Sequence, residues 1–220
     1  DGEIRLVDDH IAKLRRVLSD LGIADRTLIV VTADHGDEFF EHGRKGHHRT
    51  LYDEVLRVPL IVFVPGIRPA RSVIETEASV TDIAPTITAL VGAPPVRGAE
   101  GRDLGPLAFG GAPDYSRRTF AELYRTKSLN MQAAIRFGPQ KVIQHLNRRV
   151  VEVYDTQRDP GEQQRLPPNH GFAPARLAEL RAWLDGRWRV FSGRIRQQGV
   201  RRVEMDEDMK DRLRSLGYIQ

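Results

Sequence analysis

Two short apolar runs, Thr27-Leu28-Ile29-Val30-Val31-Thr32 and Leu60-Ile61-Val62-Phe63-Val64, constrain this chain more than any other feature. Both are continuous and rich in β-branched residues, the pattern of strands covered on both faces rather than of alternating surface strands. Ahead of the first, Ile4, Val7, Ile11, Leu14, Leu18 and Leu21 recur at steps of three and four. That spacing predicts one helix, ended by Gly22. A helix feeding such a strand predicts an α/β layered fold with parallel strands. Between the two runs lies a polar segment, residues 34–50, too long for a tight turn and too polar for core. Long loops at strand ends in compact domains are usually functional.

Further along, Val80-Thr81-Asp82-Ile83-Ala84-Pro85 reads as a helix start, capped by Thr81 or Asp82 and ending near Gly92. Residues 92–113, rich in Gly, Pro and Ala, read as a linker. Beyond it the pattern changes to four short strands, 119–124, 131–137, 141–146 and 150–154, separated by small turns. Such spacing predicts an antiparallel meander. A helix follows over 173–190, with Leu177, Leu180, Trp183, Leu184 and Trp188 at core spacing, and a shorter one over about 206–216, ended by Gly217. The expected organisation is a core segment, residues 1–112, and a small C-terminal subdomain, residues 113–220.

Charge follows the same division. Residues 1–115 carry 13 Lys and Arg against 18 Asp and Glu, whereas 116–220 carry 21 against 12, so an acidic half precedes a basic one. A sequence pI near 9.6 raises nucleic-acid binding, but the arginines are spread over strands and helices with no binding module among them, so no nucleic-acid partner is expected. With 40% hydrophobic and 29% charged residues the chain is an ordinary globular one, and no apolar stretch approaches the roughly 18 residues of a membrane span. The start, Asp1-Gly2-Glu3, does not resemble a signal peptide; because it is not Met, upstream residues are expected to have been removed. The absence of cysteine excludes disulfides, thiolate metal sites and a cysteine nucleophile, leaving His, Asp, Glu or Asn to hold any metal.

The chemistry concentrates in Thr32-Ala33-Asp34-His35-Gly36-Asp37-Glu38, which leaves the end of the first predicted strand. Ligands in open α/β sheets bind over such strand ends. A carboxylate and an imidazole side by side there can be aimed at one cation, with Gly36 letting the backbone turn sharply. Four of the seven histidines, His35, His42, His47 and His48, fall within 14 residues. As an isolated dipeptide Asp34-His35 is equally a turn cap beside a satisfied polar side chain; its place after a buried strand brings the metal reading level with that one. His42, beside Gly43, reads as exposed, and Arg44, Lys45 and Arg49 as a basic loop. Asp53 and Arg57 read as structural, Arg57 pairing with a carboxylate. His10, His145 and His170 read as helix, strand-end and solvated residues without chemistry.

These residues carry a resemblance. The segments Thr27 to Gly36, Glu41-His42-Gly43, Gly46-His47, Leu51-Tyr52-Asp53-Glu54 and Arg57-Val58-Pro59-Leu60 resemble the second half of a type I sulfatase of the alkaline-phosphatase superfamily. Thr81-Asp82-Ile83-Ala84-Pro85-Thr86, Val153-Tyr154-Asp155, Asp159-Pro160-Gly161-Glu162 and Leu213-Arg214-Ser215-Leu216-Gly217-Tyr218 extend it in the family's order. The implied fold is part of an alkaline-phosphatase-like mixed sheet flanked by helices, followed by a small α+β subdomain with a four-stranded antiparallel sheet and C-terminal helices. The implied activity is hydrolysis of sulfate monoesters on a sulfated small molecule or glycan. Asp34 and His35 match the family's metal ligands. One divalent cation is implied, calcium first, with manganese, iron or zinc suiting the imidazole. His47 matches the position that serves the leaving group, where many relatives carry Lys; Lys45, two residues off, is the second candidate for substrate binding.

One part of the family pattern is missing. Its nucleophile is a formylglycine made from Cys or Ser in a Cys/Ser-x-Pro/Ala-x-Arg motif, and neither a Cys nor any Ser in that context occurs here. The sequence is therefore expected to be the C-terminal portion of a sulfatase, inactive by itself. A phosphodiesterase or phosphonate monoester hydrolase of the same superfamily is the second reading, and a non-catalytic metal-binding domain the third. The family is often periplasmic, secreted or lysosomal.

Overall fold

A computed structural model describes residues 2–68, 73–125, 130–198 and 207–215. The first helix, α1 (Gly2–Asp20), ends as its sequence predicts: Gly22 takes a left-handed φ of +64° and donates its N–H to the Ser19 carbonyl. Strand β1 (Ile29–Thr32) leads through a hairpin of β2 (Glu38–Phe39) and β3 (Lys45–Gly46), then a one-turn helix α2 (Asp53–Leu56), into β4 (Leu60–Phe63). β1 and β4 pair antiparallel, Ile29 opposite Phe63 and Thr32 opposite Leu60, correcting the expectation of parallel strands. A parallel return needs a long crossover helix, and the connection here holds only the hairpin and one helical turn.

Coverage on both faces is likewise not seen for this pair. Val30, Leu60 and Val62 face Ile83 and Ile87 of α3 (Ile83–Leu90). On the other face the guanidinium of Arg15 in α1 lies 5.6 Å from the Phe63 ring centre. Ile61 and Phe63 nonetheless remain 58% and 46% exposed, and α1 has no buried residue. Two strands form too small a sheet to cover their own apolar faces.

The turn into α3 is capped by Ser79 rather than by Thr81 or Asp82. Ser79 accepts from the Thr81 N–H, and the Asp82 carboxylate accepts from the Ser79 N–H, closing a capping box. Asp82 is fully buried and its other oxygen accepts from the Arg102 N–H and the Arg117 guanidinium. The glycine-rich stretch 92–113 is consequently no free linker. It is pinned at Arg102, bonded through the Thr86 hydroxyl to the Leu104 N–H, and carries a short helix, α4 (Gly105–Ala108).

The predicted meander is present: β5 (Thr119–Arg125), β6 (Asn130–Phe137), β7 (Gln140–His145) and β8 (Val150–Asp155) form one antiparallel sheet in sequence order. Its core face holds Ala134, Ile143 and Tyr154, and Leu51 and Tyr52 insert among them. At the centre of this packing Glu152, 3% exposed, accepts from the Tyr52 and Tyr154 hydroxyls, His145 Nε2 and Arg165. His145 is thus a bonded strand-end residue.

Burial alone would raise the Glu152 pKa, but the bonds from His145, Tyr52 and Tyr154 and the Arg165 charge hold it at about 2 against an ordinary 4.5. A carboxylate with a depressed folded pKa contributes stability above its unfolded pKa and loses it as pH falls through the folded one. Between about pH 4.5 and 2 the intact protein should therefore lose on the order of 3 kcal/mol from this group alone. Glu152→Gln should flatten that part of the acid limb in urea-melt midpoints taken at pH 7 and pH 3; equal limbs would refute the assignment.

Residues 1–180 pack as one compact unit and 181–220 as another. Within the first, α5 (Ala173–Gln198) begins by burying Ala173 and Leu180, with Glu179 paired to Arg118 and Arg176. In the second, the Arg187 guanidinium lies 5.0 Å from the Trp183 ring centre, and Trp188, expected in the core, is 67% exposed. α6 (Glu207–Ser215) follows; Gly217, its expected stop, lies outside the described residues. Among the described residues no helix is long and apolar enough to cross a membrane.

Candidate metal and leaving-group site

Asp34, His35 and Asp37 leave the end of β1, and His47 and His48 return directly after β3. The return is anchored by Leu51 and Tyr52 in the four-stranded sheet and by Asn130 and Gln132, whose amides both donate to the Arg49 carbonyl at 2.8 Å. The departure is anchored at Gly36, whose N–H donates to the Val55 carbonyl at 2.8 Å. Gly36 is needed for close approach rather than for an unusual turn: a Cβ there would lie 2.1 Å from the Glu54 carbonyl oxygen.

These two anchors bring the loop's ends together. The His35 and His47 rings lie 3.9 Å apart, and His47 and His48 meet edge to face at 3.7 Å. His48 takes a left-handed φ of 72°, uncommon for a residue with a side chain. Asp34, His35, His47 and His48 line an open pocket of about 1100 Å³, together with Arg136 and Lys141 of the sheet.

The local bonding decides what each donor atom can do. His35 Nδ1 lies 3.0 Å from the Gly36 carbonyl, which only accepts, so Nδ1 donates there and Nε2 is the ring atom left to face a cation. That Nε2 is 3.7 Å from Asp34 Oδ2, a separation two ligands of one cation span. Asp34 is largely exposed, its second oxygen receiving the His35 N–H at 3.1 Å. His47 Nδ1 donates to Asp37 Oδ1 at 2.7 Å, so Nε2 is the ring nitrogen not engaged by Asp37. His35, Asp37 and His47 also lie close enough together to hold an ion, but Asp37 and His47 already satisfy one another.

The remaining expected residues fall elsewhere. Lys45 stands exposed on β3 and does not line the pocket. Asp53 is structural, bonded to Arg136 at 2.5 Å and to Lys141 at 2.7 Å. Burial opposes its charge, but Lys141 and Arg136 together hold its pKa below the ordinary carboxylate value. Among the described residues no carboxylate pairs with Arg57, because Asp53, its neighbour in sequence, turns to the sheet. Asp37 and Glu162 were not foreseen. Asp37 had a readable signal, a carboxylate three residues after Asp34; Glu162 stood only as the last residue of a family motif, and its contacts with Lys141, the Asp53 N–H and His42 are set by tertiary packing.

Comparisons with known proteins place these features in context. Residues 1–93 match the sulfatase family model. Over 97% of its length the chain is 26% identical to a Delta 4,5-hexuronate-2-O-sulfatase of Bacteroides thetaiotaomicron, covering 44% of that protein. A crystal structure of a candidate sulfatase from the same organism superposes with a TM-score of 0.71 at 26% identity, over 93% of this chain and 44% of the other. The phosphonate monoester hydrolase of Agrobacterium radiobacter superposes with a TM-score of 0.69 at 26% identity, over 86% of this chain and 40% of the other. The chain thus spans less than half the length of these relatives.

Proposed function

Because the chain belongs to the sulfatase family, with an alkaline-phosphatase-like α/β fold, we propose that it carries the metal and leaving-group side of an active site hydrolysing sulfate monoesters. The observation that supports this most is the convergence of His35 Nε2, Asp34 Oδ2 and the Asp37-bound His47 at one pocket. A divalent cation, when bound, neutralises charge on the sulfuryl oxygens. Asp34 and His35 would hold it; calcium suits the carboxylate, and manganese, iron or zinc the imidazole. Asp37 orients His47; with a proton on each ring nitrogen, Nδ1–H is held by Asp37 and Nε2–H can donate to the departing alkoxide oxygen, leaving the neutral ring behind. The nucleophile and further metal ligands would come from sequence outside these 220 residues, and Lys45 would play no direct part.

The substrate class we favour is a sulfated sugar or small molecule, in line with the uronate sulfatase among the relatives. In the whole protein residues 1–112 would continue the α/β core and 113–220 form an appended subdomain; the four-stranded sheet shares no strand with the β1–β4 or β2–β3 pairs. The second reading, a phosphonate monoester or phosphodiester hydrolase, is favoured by the superposition on the Agrobacterium enzyme. Assaying the intact protein with matched aryl sulfate, aryl phosphonate monoester and aryl phosphodiester decides between them. The sulfate ester should give the highest kcat/KM; a hundredfold preference for either phosphorus ester would overturn the sulfatase reading.

A further inference from the structure

Resting on the role given to His47, we infer that His42 is a positioning residue: a doubly donating imidazolium that fastens the β2–β3 hairpin, and with it Asp37 and His47, to the loop at 159–164. His42 does not line the pocket, and instead of standing exposed beside Gly43 its side chain is 13% accessible. Its ring stacks on Tyr52 with centres 3.7 Å apart and planes 16° from parallel. Nδ1 lies 2.6 Å from Glu54 Oε1 on α2, and Nε2 lies 3.0 Å from the Glu162 carbonyl. A carboxylate and a carbonyl oxygen both accept, so both ring nitrogens carry protons and the ring is a cation. For the same reason Glu38, His42 and Glu54, though close enough to hold an ion, offer no free imidazole lone pair.

The groups that hold the proton on each ring nitrogen are Glu54 and the Glu162 carbonyl; the other elements packed on the ring fix its place. Glu38, 1% exposed on β2, accepts the backbone N–H groups of His42 and Arg44 and braces the hairpin from inside. Glu54 faces the ring from α2 and Tyr52 stacks on it. From the loop, the Gln163 amide donates to the Glu41 and Gly161 carbonyls at 3.0 Å each, so although its nitrogen lies 3.4 Å from His42 Nε2 both its N–H groups are already given to carbonyls. The Glu162 carboxylate is itself paired with Lys141 and accepts the Asp53 N–H, and a left-handed φ of 53° turns the residue so that its carbonyl meets His42. Burial works against the charge on His42, but the Glu162 carbonyl and the Glu54 carboxylate outweigh it and raise its pKa above 6.5.

The sign follows directly. With a raised folded pKa the latch is complete below the ordinary histidine value and is lost as pH rises through the folded one. Neutral His42 has a single donor, and the nitrogen left bare faces the lone pairs of an oxygen. Losing a charge-assisted bond of this kind corresponds to about 10- to 100-fold in the hairpin's opening equilibrium. A hairpin displaced by even an ångström would misplace His47 for its proton transfer.

Hydrogen exchange of the segment 36–48 in the intact protein, followed by mass spectrometry from pH 5.5 to 9 and corrected for intrinsic rates, tests this without relying on turnover. Wild type should lose protection by about 10- to 100-fold as His42 titrates. His42→Phe, which keeps the stack on Tyr52, should be unprotected at every pH, with the melting temperature of the sheet little changed and kcat lowered. Protection that is independent of pH in wild type, or retained in the variant, overturns the proposal. Should His42→Phe not fold, the His42 ring signals of histidine-labelled wild type decide instead: a doubly protonated ring at pH 7 supports the latch and a neutral tautomer overturns it. If the protein turns over no sulfate ester, the exchange result still stands, so failure of the latch and failure of the sulfatase reading remain separate.

Discussion

His47→Ala in the intact protein should lower kcat by about 10²–10⁴ on a sulfate ester of an ordinary sugar alcohol, and by less than about tenfold on an ester of an acidic phenol. The contrast follows from the chemistry. An alkoxide is a poor leaving group unless a proton or hydrogen bond reaches its oxygen as the sulfur–oxygen bond breaks, whereas an acidic phenolate leaves unaided. His47 is the residue suited to supply that proton, because its Nδ1 is held by Asp37 at 2.7 Å and its Nε2 is the atom left over. Lys45→Ala, by contrast, should change neither substrate by more than about twofold, because Lys45 is exposed on β3 away from the pocket. Equal losses on both esters for His47→Ala would show that it acts on binding or metal retention and not on the leaving group.

The largest stability effect is expected at Lys141. Its side chain is 2% accessible and its ammonium group bridges Asp53 and Glu162 at 2.7 Å each. Lys141→Met would leave the buried Glu162 carboxylate without its cation and Asp53 with Arg136 alone, a loss on the order of 3–5 kcal/mol. Glu162 already has a raised pKa: burial lifts it most, the Asp53 charge lifts it further, and Lys141 opposes both. In the variant that opposition is gone, so Glu162 takes up a proton more readily and the destabilisation should shrink as pH falls from 8 to 5. Urea melts at the two pH values check the direction. A second variant, Lys141→Met with Glu162→Gln, should recover part of the loss; no recovery would locate the cost in packing rather than in the unpaired charge.

Local sequence and long-range structure contributed different things to this picture. The strands of the meander, the stop at Gly22 and the loop leaving β1 at Asp34-His35-Gly36 were legible because periodicity, turn chemistry and strand-to-loop placement act over a few residues. The same is true of the clustering of His35, His47 and His48 in one polar segment. The antiparallel pairing of β1 with β4 was not legible, because an apolar run states that a strand is buried and not which way its partner runs. Nor was the pinning of residues 92–113, since a Gly- and Pro-rich stretch reads as free until Asp82 and Thr86 are found bonded to Arg102 and Leu104.

What the sequence determined by itself is thus the chemistry available, carboxylate and imidazole at a strand end with no thiol anywhere, and the order of the elements that present it. Only the tertiary structure decided which of those groups face one another. Asp37 turns to His47, Asp53 turns away to Lys141 and Arg136, and His42 is charged by a carbonyl 120 residues distant. The physical reason is that hydrogen bonds and buried ion pairs depend on a few ångströms of separation, and for these groups that separation is set by how Leu51 and Tyr52 seat the loop on a sheet formed some 80 residues later.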